Sequence, residues 1–367
     1  MKRTEQIENM KKTKQVRCGD VFIGGDAPIT IQSMTNVDSR DEQGLLRQID
    51  RLADAGCEIV RIAVPDTESA EVFARVKAKT GHKVPLVADI HFDYRLAIAA
   101  IEAGADKVRI NPGNIGDTER LNAVVDAAKE REIPIRVGVN SGSLEKHILE
   151  KYGCVTAEGL AESAVCNLSL IESLGYDKLV VSIKSSDVKM NYEAHKILTE
   201  RTDYPVHIGI TEAGTLARGK IKSAIGIGAL LLEGIGDTMR VSLTADPVEE
   251  VLFAKEILRD IGIRKAGVDL VSCPTCGRTR VDLQTLASEV ESRLKPIEQR
   301  LETAGGRSIK IAVMGCAVNG PGEAAEADFG ICGGHERGLI FSKGKIIKTV
   351  PKKELVDELF KIIEAKI

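Results

Sequence analysis

From Ile29 to about Ala245, short apolar runs alternate with amphipathic segments. The runs read "ITIQSMTNV", "EIVRIAVP", "VPLVADIHF", "ADKVRINPGN", "IPIRVGVNSGS", "KLVVSIKSSD", "YPVHIGITEAG" and "TMRVSLTAD". They are rich in Val and Ile, as strands buried on both faces are. Between them, "DEQGLLRQIDRLADAG", "DYRLAIAAIEAGA" and "DTERLNAVVDAAKERE" place apolar residues at helical spacing behind an acidic start. Eight such units predict an α/β fold, a parallel (β/α)8 TIM barrel. An open doubly wound sheet is the alternative, because periodicity does not reveal closure. A G-x-G-x-x-G spacing after the first run, which a dinucleotide-binding sheet would carry, is absent.

The pattern changes after "DPVEEVLFAKEILRDIGIRK". A strand-like "GVDLVSCPTCG" and a long helical "DLQTLASEVESRLKPIEQRLE" follow, then "SIKIAVMGCAVNGPGEA" and a loop with "ADFGICGG". A hairpin-like "GLIFSKGKIIKTV" and a last helix, "PKKELVDELFKIIEAKI", complete a smaller α+β module. The boundary falls between Asp246 and Lys265, so residues 1–250 read as the barrel, 251–265 as a helical connector and 266–367 as the second domain.

Composition adds limits. Trp is absent and aromatics are 3%, so Val, Ile, Leu and Ala must fill the core. Basic residues (51) nearly balance acidic ones (54), which argues against a nucleic-acid partner. The N-terminal segment has no apolar run of the signal-peptide kind, and no stretch is long and apolar enough to span a bilayer. A cytoplasmic protein without a membrane partner is expected. Its eight cysteines then do not suggest a disulfide framework. Cys57 and Cys166 read as small buried apolar residues. Cys273, Cys276, Cys316 and Cys332 crowd into sixty residues and need another explanation.

The active face of a barrel is the C-terminal end of its strands. Collecting those ends gives Arg61, then Asp89 and His91, Arg109 and Asn111, Arg136 and Asn140, Lys184, His207 and Glu212, and Arg240 and Ser242. Four Arg and one Lys inside apolar strands need counterions. Asp89 and Glu212 do not suffice, and a substrate with two phosphates would supply the remainder, since Arg suits bidentate phosphate recognition. Pairing of each Arg with a carboxylate from a surrounding helix is the structural alternative. His91 and His207 suit a ligand role or a satisfied core imidazole equally well.

Cys-x-x-Cys followed by a third Cys some forty residues later marks a metal site without naming the metal. Cys316 and Cys332 would complete a zinc site of four thiolates. Alternatively, three thiolates and Glu323, turned toward Cys316 by "NGPG", would hold a [4Fe–4S] cluster with one exchangeable ligand. The residues alone leave open a redox enzyme and a non-redox phosphosugar lyase or aldolase with structural zinc, in which Lys184 would form a Schiff base. A zinc-ribbon nucleic-acid binder fits less well, given the negative net charge.

"IQSMTN", "ADIHF", "VRINPGN", "RVGVNSGSLE", "SIKSSD", "TEAG", "VSCPTCGRT" and "MGCAVNGPGEA" resemble, in order, the motifs of the 4-hydroxy-3-methylbut-2-enyl diphosphate synthase family in its two-domain bacterial form. The resemblance runs from about Arg17 to the last helix. It implies a TIM barrel followed by an iron–sulfur domain similar to those of sulfite and nitrite reductases. Cys273, Cys276, Cys316 and Glu323 match the ligands of a [4Fe–4S] cluster, and Arg61, Arg109, Arg136, Lys184 and Arg240 match positions that grip the diphosphate. Asp89, Asn111, Asn140, His207, Ser242 and Asn319 are expected as further substrate contacts. Glu323 and Glu212 are expected to be catalytic, Glu212 as a proton donor with a pKa raised by an apolar wall. Cys332 stands where the family usually has a small residue, which makes it a bystander. The implied reaction is reductive ring opening of a cyclic diphosphate in isoprenoid precursor synthesis. Electrons would come from reduced flavodoxin or ferredoxin, and the implied assembly is a head-to-tail homodimer.

Overall fold

Two short strands, β1 (Val16–Cys18) and β2 (Val21–Ile23), form an antiparallel hairpin. Eight parallel strands follow: β3 (Thr30–Met34), β4 (Ile59–Ala63), β5 (Leu86–Asp89), β6 (Lys107–Ile110), β7 (Ile135–Asn140), β8 (Leu179–Lys184), β9 (His207–Ile208) and β10 (Thr238–Met239). Thr238 pairs with Thr30 to join β10 to β3, and a Val181–Val206 bridge joins β8 to β9. The ring therefore closes, which selects the barrel over the open sheet. The acidic helix starts act as N-caps: Asp41, Asp93, Asp117 and Asp187 each accept a backbone N–H of the first turn. This computed structural model describes residues 10–80, 83–264, 267–303, 308–316 and 320–367. It divides into two compact units, Met1–Leu258 and Arg259–Ile367.

The strand register decides what faces the barrel axis. Following paired residues once around the ring returns the path eight residues earlier on β3. That shear stacks the inward side chains in layers of four, each taken from alternate strands. The lowest layer holds Ile59, Lys107, Val180 and Thr238, and the next holds Gln32, Val87, Arg136 and His207. Above them come Arg61, Arg109, Ser182 and Arg240, then Met34, Asp89, Gly138 and Gly209. Ala63, Asn111, Lys184 and Ser242 form the rim. At the opposite end, Val16, Cys18 and Ile23 of the hairpin pack on Ile59, Val87 and Val180 and close the barrel floor with apolar surface. Each such side chain stabilises the fold by roughly 1.5–3 kcal/mol when removed from water.

Cys57 is buried as expected, but Cys166 is exposed. It lies off the inward face of helix Ala157–Ser173, which Leu160, Ala164, Leu168 and Ile171 occupy.

In the second unit, β11 (Gly267–Ser272), β12 (Ser308–Met314) and β13 (Phe329–Cys332) run parallel. Strands β14 (Arg337–Ser342) and β15 (Lys345–Pro351) continue the sheet as an antiparallel hairpin. "ADFGICGG", expected as a loop, contains β13, because its Phe, Ile and Cys side chains are all buried by the sheet's two covered faces. On one face Val290, Leu294, Ile297 and Leu301 of helix Leu283–Thr303 join Leu355, Leu359 and Ile363 of helix Leu355–Glu364. Their three- and four-residue spacing is the apolar stripe the sequence displays. On the other face Met314, Ala324, Ala327, Cys332 and Phe341 cluster. Among the described residues, no helix is long and apolar enough to cross a membrane.

Candidate functional site

The third barrel layer presents three guanidinium groups, and the layer above it contributes two glycines. A Cβ on Gly138 would stand 2.6 Å from Arg109 Nε, and one on Gly209 would stand 2.5 Å from the Arg240 carbonyl oxygen. The missing Cβ leaves room for the Arg109 guanidinium at Gly138 and for the close approach of the Arg240 backbone at Gly209. We therefore expect Gly138→Ala to displace the Arg109 guanidinium and weaken binding of a diphosphate ligand by about tenfold, the worth of one misaligned charged hydrogen bond. Calorimetric titration checks this, and unchanged affinity would show that Arg109 does not face the ligand.

Two carboxylates hold the cations. Asp89, 2% exposed, lies 3.3 Å from Arg109 Nη1 and 3.6 Å from Arg61 Nε. Burial works to raise its pKa, but Arg61 and Arg109 prevail and hold it at about 2. The second carboxylate, Glu250 on helix Pro247–Asp260, was not anticipated. It is 3% exposed and accepts from Arg240 Nε (3.2 Å), Arg240 Nη2 (3.3 Å), Ser33 Oγ (3.0 Å) and the Leu243 N–H (2.9 Å). The legible signal was an acid on the same buried face as Val251, Ala254 and Leu258. Met34 is a second unforeseen member, its Sδ 2.9 Å from Arg61 Nη2.

Among the described residues, Arg61, Arg109 and Arg240 are ion-paired to these two carboxylates, whereas Lys184 at the rim and Arg136 one layer lower have no carboxylate partner, so buried basic groups outnumber the acids around the mouth. Lys184 makes no hydrogen bond or ion pair among the described residues, and burial with four neighbouring guanidinium groups pushes its pKa well below the ordinary amine value. Burial likewise lowers Arg61 to about 10, against the pull of Asp89. A multiply charged anion at the mouth reverses each of these penalties.

Most of the residues singled out from the sequence gather here. Arg61, Arg109 and Arg240 form the floor with Asp89 one layer above them; Asn111, Lys184 and Ser242 form the rim, with Asn140 ending β7 beside them. Arg136 and His207 differ from their strand-end reading. They are the second residue of β7 and the first of β9, and they lie one layer below the guanidinium floor. Arg136 is 1% exposed and donates through Nη1 to Ser182 Oγ at 3.0 Å, while its Nε and Nη2 have no partner among the described residues. His207 is fully buried, with Nδ1 3.4 Å from Thr238 Oγ1, and burial drives its pKa well down. It is a neutral core imidazole without access to the mouth. His91 is exposed, with Nε2 3.8 Å from Asp89 Oδ2. Glu212 is also corrected: it is exposed, in a left-handed turn with φ 51°, and not against an apolar wall. Asn319 lies outside the described residues.

In the second unit the thiols follow the C-terminal ends of neighbouring parallel strands. Ser272 pairs with Val313 and Met314 with Cys332, so Cys273, Cys316 and Cys332 lie at the same, C-terminal end of three neighbouring strands. The Arg280 N–H donates to Gly315 O at 3.0 Å and ties the two cysteine loops together. The Gly315 N–H points at Cys273 Sγ at 3.2 Å. Hydrogen bonds from Arg278 lower the pKa of Cys276, which is exposed. Cys332 is buried among apolar side chains, and burial pushes its thiol up to about 12. Glu323 ends the short helix Gly320–Glu323 and is exposed. Among the described residues, no three His, Cys, Asp or Glu side chains yet converge at metal-holding distance. The donor set nevertheless suits a thiolate-bound cluster: three accessible sulfurs, one already receiving a backbone N–H and one favoured as thiolate.

Residues 13–255 match a family described as the GcpE TIM-barrel domain, and residues 269–365 match the GcpE protein C-terminal domain. The chain is 52% identical to a 4-hydroxy-3-methylbut-2-en-1-yl diphosphate synthase (flavodoxin) of Ruminiclostridium cellulolyticum, over 98% of this chain and 99% of that one. It is 55% identical to the enzyme of the same name from Caldanaerobacter subterraneus subsp. tengcongensis, over 98% of both chains. Among solved structures, dihydropteroate synthase from Stenotrophomonas maltophilia is similar in fold, with a TM-score of 0.50 and 15% identity over 68% of this chain and 97% of that one.

Proposed function

The chain belongs to the GcpE family, and we propose that it converts 2-C-methyl-D-erythritol 2,4-cyclodiphosphate to 4-hydroxy-3-methylbut-2-enyl diphosphate by two-electron reductive ring opening with loss of water. The observation that carries the reading is the excess of buried basic groups over carboxylates around two glycines at the barrel mouth. Arg61, Arg109 and Arg240 form the floor under the diphosphate, and Lys184, Asn111 and Ser242 close around it. Arg136 supports that floor from below through Ser182. As the carbon–oxygen bond breaks, negative charge grows on the departing phosphate oxygen. Cations already fixed by Asp89 and Glu250 stabilise it without having to reorganise. Glu212, on its strained left-handed turn, is a proton-donor candidate from solvent rather than from an apolar pocket.

A [4Fe–4S] cluster held by Cys273, Cys276, Cys316 and Glu323 would supply the electrons, one at a time. A zinc site of four thiolates would need Cys332, which is unsuited to it, since it is packed against Met314 and Phe341 and burial pushes its thiol pKa up. The relatives' names point to flavodoxin as donor, with ferredoxin as the alternative. A head-to-tail homodimer completes the reading, and sedimentation reads its mass directly.

The test is anaerobic. Protein reconstituted with iron and sulfide should be brown and should consume the cyclic diphosphate under a chemical reductant. A colourless zinc-loaded protein that leaves the substrate intact would overturn the assignment.

A further inference from the structure

We propose that the lysine-rich β14–β15 hairpin is the docking surface for an acidic electron-carrier protein, an inference that rests on the redox reading above. From Arg337 to Lys353 the chain carries Arg337, Lys343, Lys345, Lys348, Lys352 and Lys353 and no acid. Strand β15 is the outer strand of its sheet, and Lys345 to Thr349 are all exposed. Ile346 and Ile347 sit in the middle of these lysines at 56% and 47% exposure. Lys343 and Lys348 are held by Asp328 and Glu358, whereas Lys345 and Lys353 form no ion pair among the described residues.

The hairpin also lies where an electron carrier would be useful. The Lys343 N–H donates to Ala327 O at 2.9 Å. A Cβ on Gly344 would lie 3.3 Å from Ala325 Cβ and 3.5 Å from Pro321 O. The turn therefore rests against the segment Pro321–Ala327, which contains Glu323. Arg278, hydrogen-bonded to Cys276, and Arg280 are exposed beside the thiol loops.

Edge strands often carry lysines simply to block pairing with other chains. That accounts for the charges but not for two adjacent isoleucines left open among them, which make an edge more adhesive. An apolar centre flanked by lysines, Lys345 and Lys353 among them without an ion pair in the described residues, instead suits a small, transient interface that opposite charge steers into place. The partner is then an acidic, flavin-carrying electron-transfer protein of the flavodoxin kind that the relatives' names print. In each encounter the reduced carrier loses one electron and this protein gains one, with no atom transferred.

The experiment uses the full-length, cluster-loaded chain and its Lys345→Glu/Lys353→Glu variant. Flavodoxin binding is measured by calorimetry at low and physiological salt, and turnover is measured with flavodoxin and, separately, with reduced methyl viologen. We expect the Kd and KM for flavodoxin to rise by about tenfold or more at low salt, where loss of steering charges weighs most. Methyl viologen rates should stay within about twofold, because a small reductant needs no docking surface. Ile347→Ser should weaken flavodoxin binding while keeping its salt dependence. Unchanged flavodoxin affinity in the charge-reversed variant would overturn the proposal, as would an equal loss with methyl viologen. Failure of the wild type to turn over the cyclic diphosphate with methyl viologen would instead overturn the activity reading, and the calorimetry would still decide the docking surface.

Discussion

Replacing Cys273, Cys276 or Cys316 by Ser will strip the iron from the protein and abolish turnover, whereas Cys332→Ala will keep both. Serine's hydroxyl holds its proton at neutral pH and is a poor ligand for iron that favours soft thiolates. The three predicted ligands emerge from loops tied by the Arg280–Gly315 hydrogen bond, and none is buried. Cys332 is chemically a different case: fully enclosed by Ala312, Met314, Ala324, Ala327 and Phe341, it acts as a small apolar filler. Its truncation should cost about 1 kcal/mol of stability, the scale of a small cavity. Glu323→Ala should retain most of the iron, because three thiolates still anchor it, yet lose turnover. Iron and sulfide analysis of the five variants decides the assignment. Iron lost from Cys332→Ala, or retained in full by Cys276→Ser, would require a different ligand set.

Asp89→Asn will be the most damaging single change in the barrel interior, destabilising the unliganded protein by roughly 3 kcal/mol, as expected when one partner of a buried ion pair is removed. Arg61 and Arg109 would then face each other and Arg136 without their shared counterion. The pH dependence gives an independent check. Asp89 has a folded-state pKa of about 2, below its ordinary value of 3.8. Its stabilising contribution is thus complete above about pH 4 and is lost as pH falls through about 2, an effect of roughly 2 kcal/mol. The difference in unfolding free energy between wild type and Asp89→Asn should shrink across that window and stay constant above it. Added pyrophosphate should restore part of the variant's stability by supplying the missing negative charge. A gap that widens toward low pH, or a variant as stable as wild type, would show that Asp89 does not carry the charge balance of the floor.

The alternation of Val- and Ile-rich runs with amphipathic helices, the Asp caps and the apolar stripe of helix Leu283–Thr303 were all legible, because each depends on neighbours within one or two turns. So were the clustering of Cys273, Cys276 and Cys316 and the presence of too many cations in apolar strands. Depth in the barrel was not legible. Arg109 and Arg136 both sit in Val- and Ile-rich strands, yet one joins the floor and the other lies beneath it. His207 is sealed in the core for the same reason. Glu250 reaches Arg240 only because helix Pro247–Asp260 packs its acid-bearing face on the barrel. Glu212 is exposed, at a left-handed backbone position that the alternation of the strand does not foretell. A strand's own residues alternate inward and outward whatever its neighbours do, so which side chains face the axis is a local property. The height at which they meet is not, because it is set by a register summed around eight strands, and moving one strand by two residues would keep every inward residue inward while changing every layer.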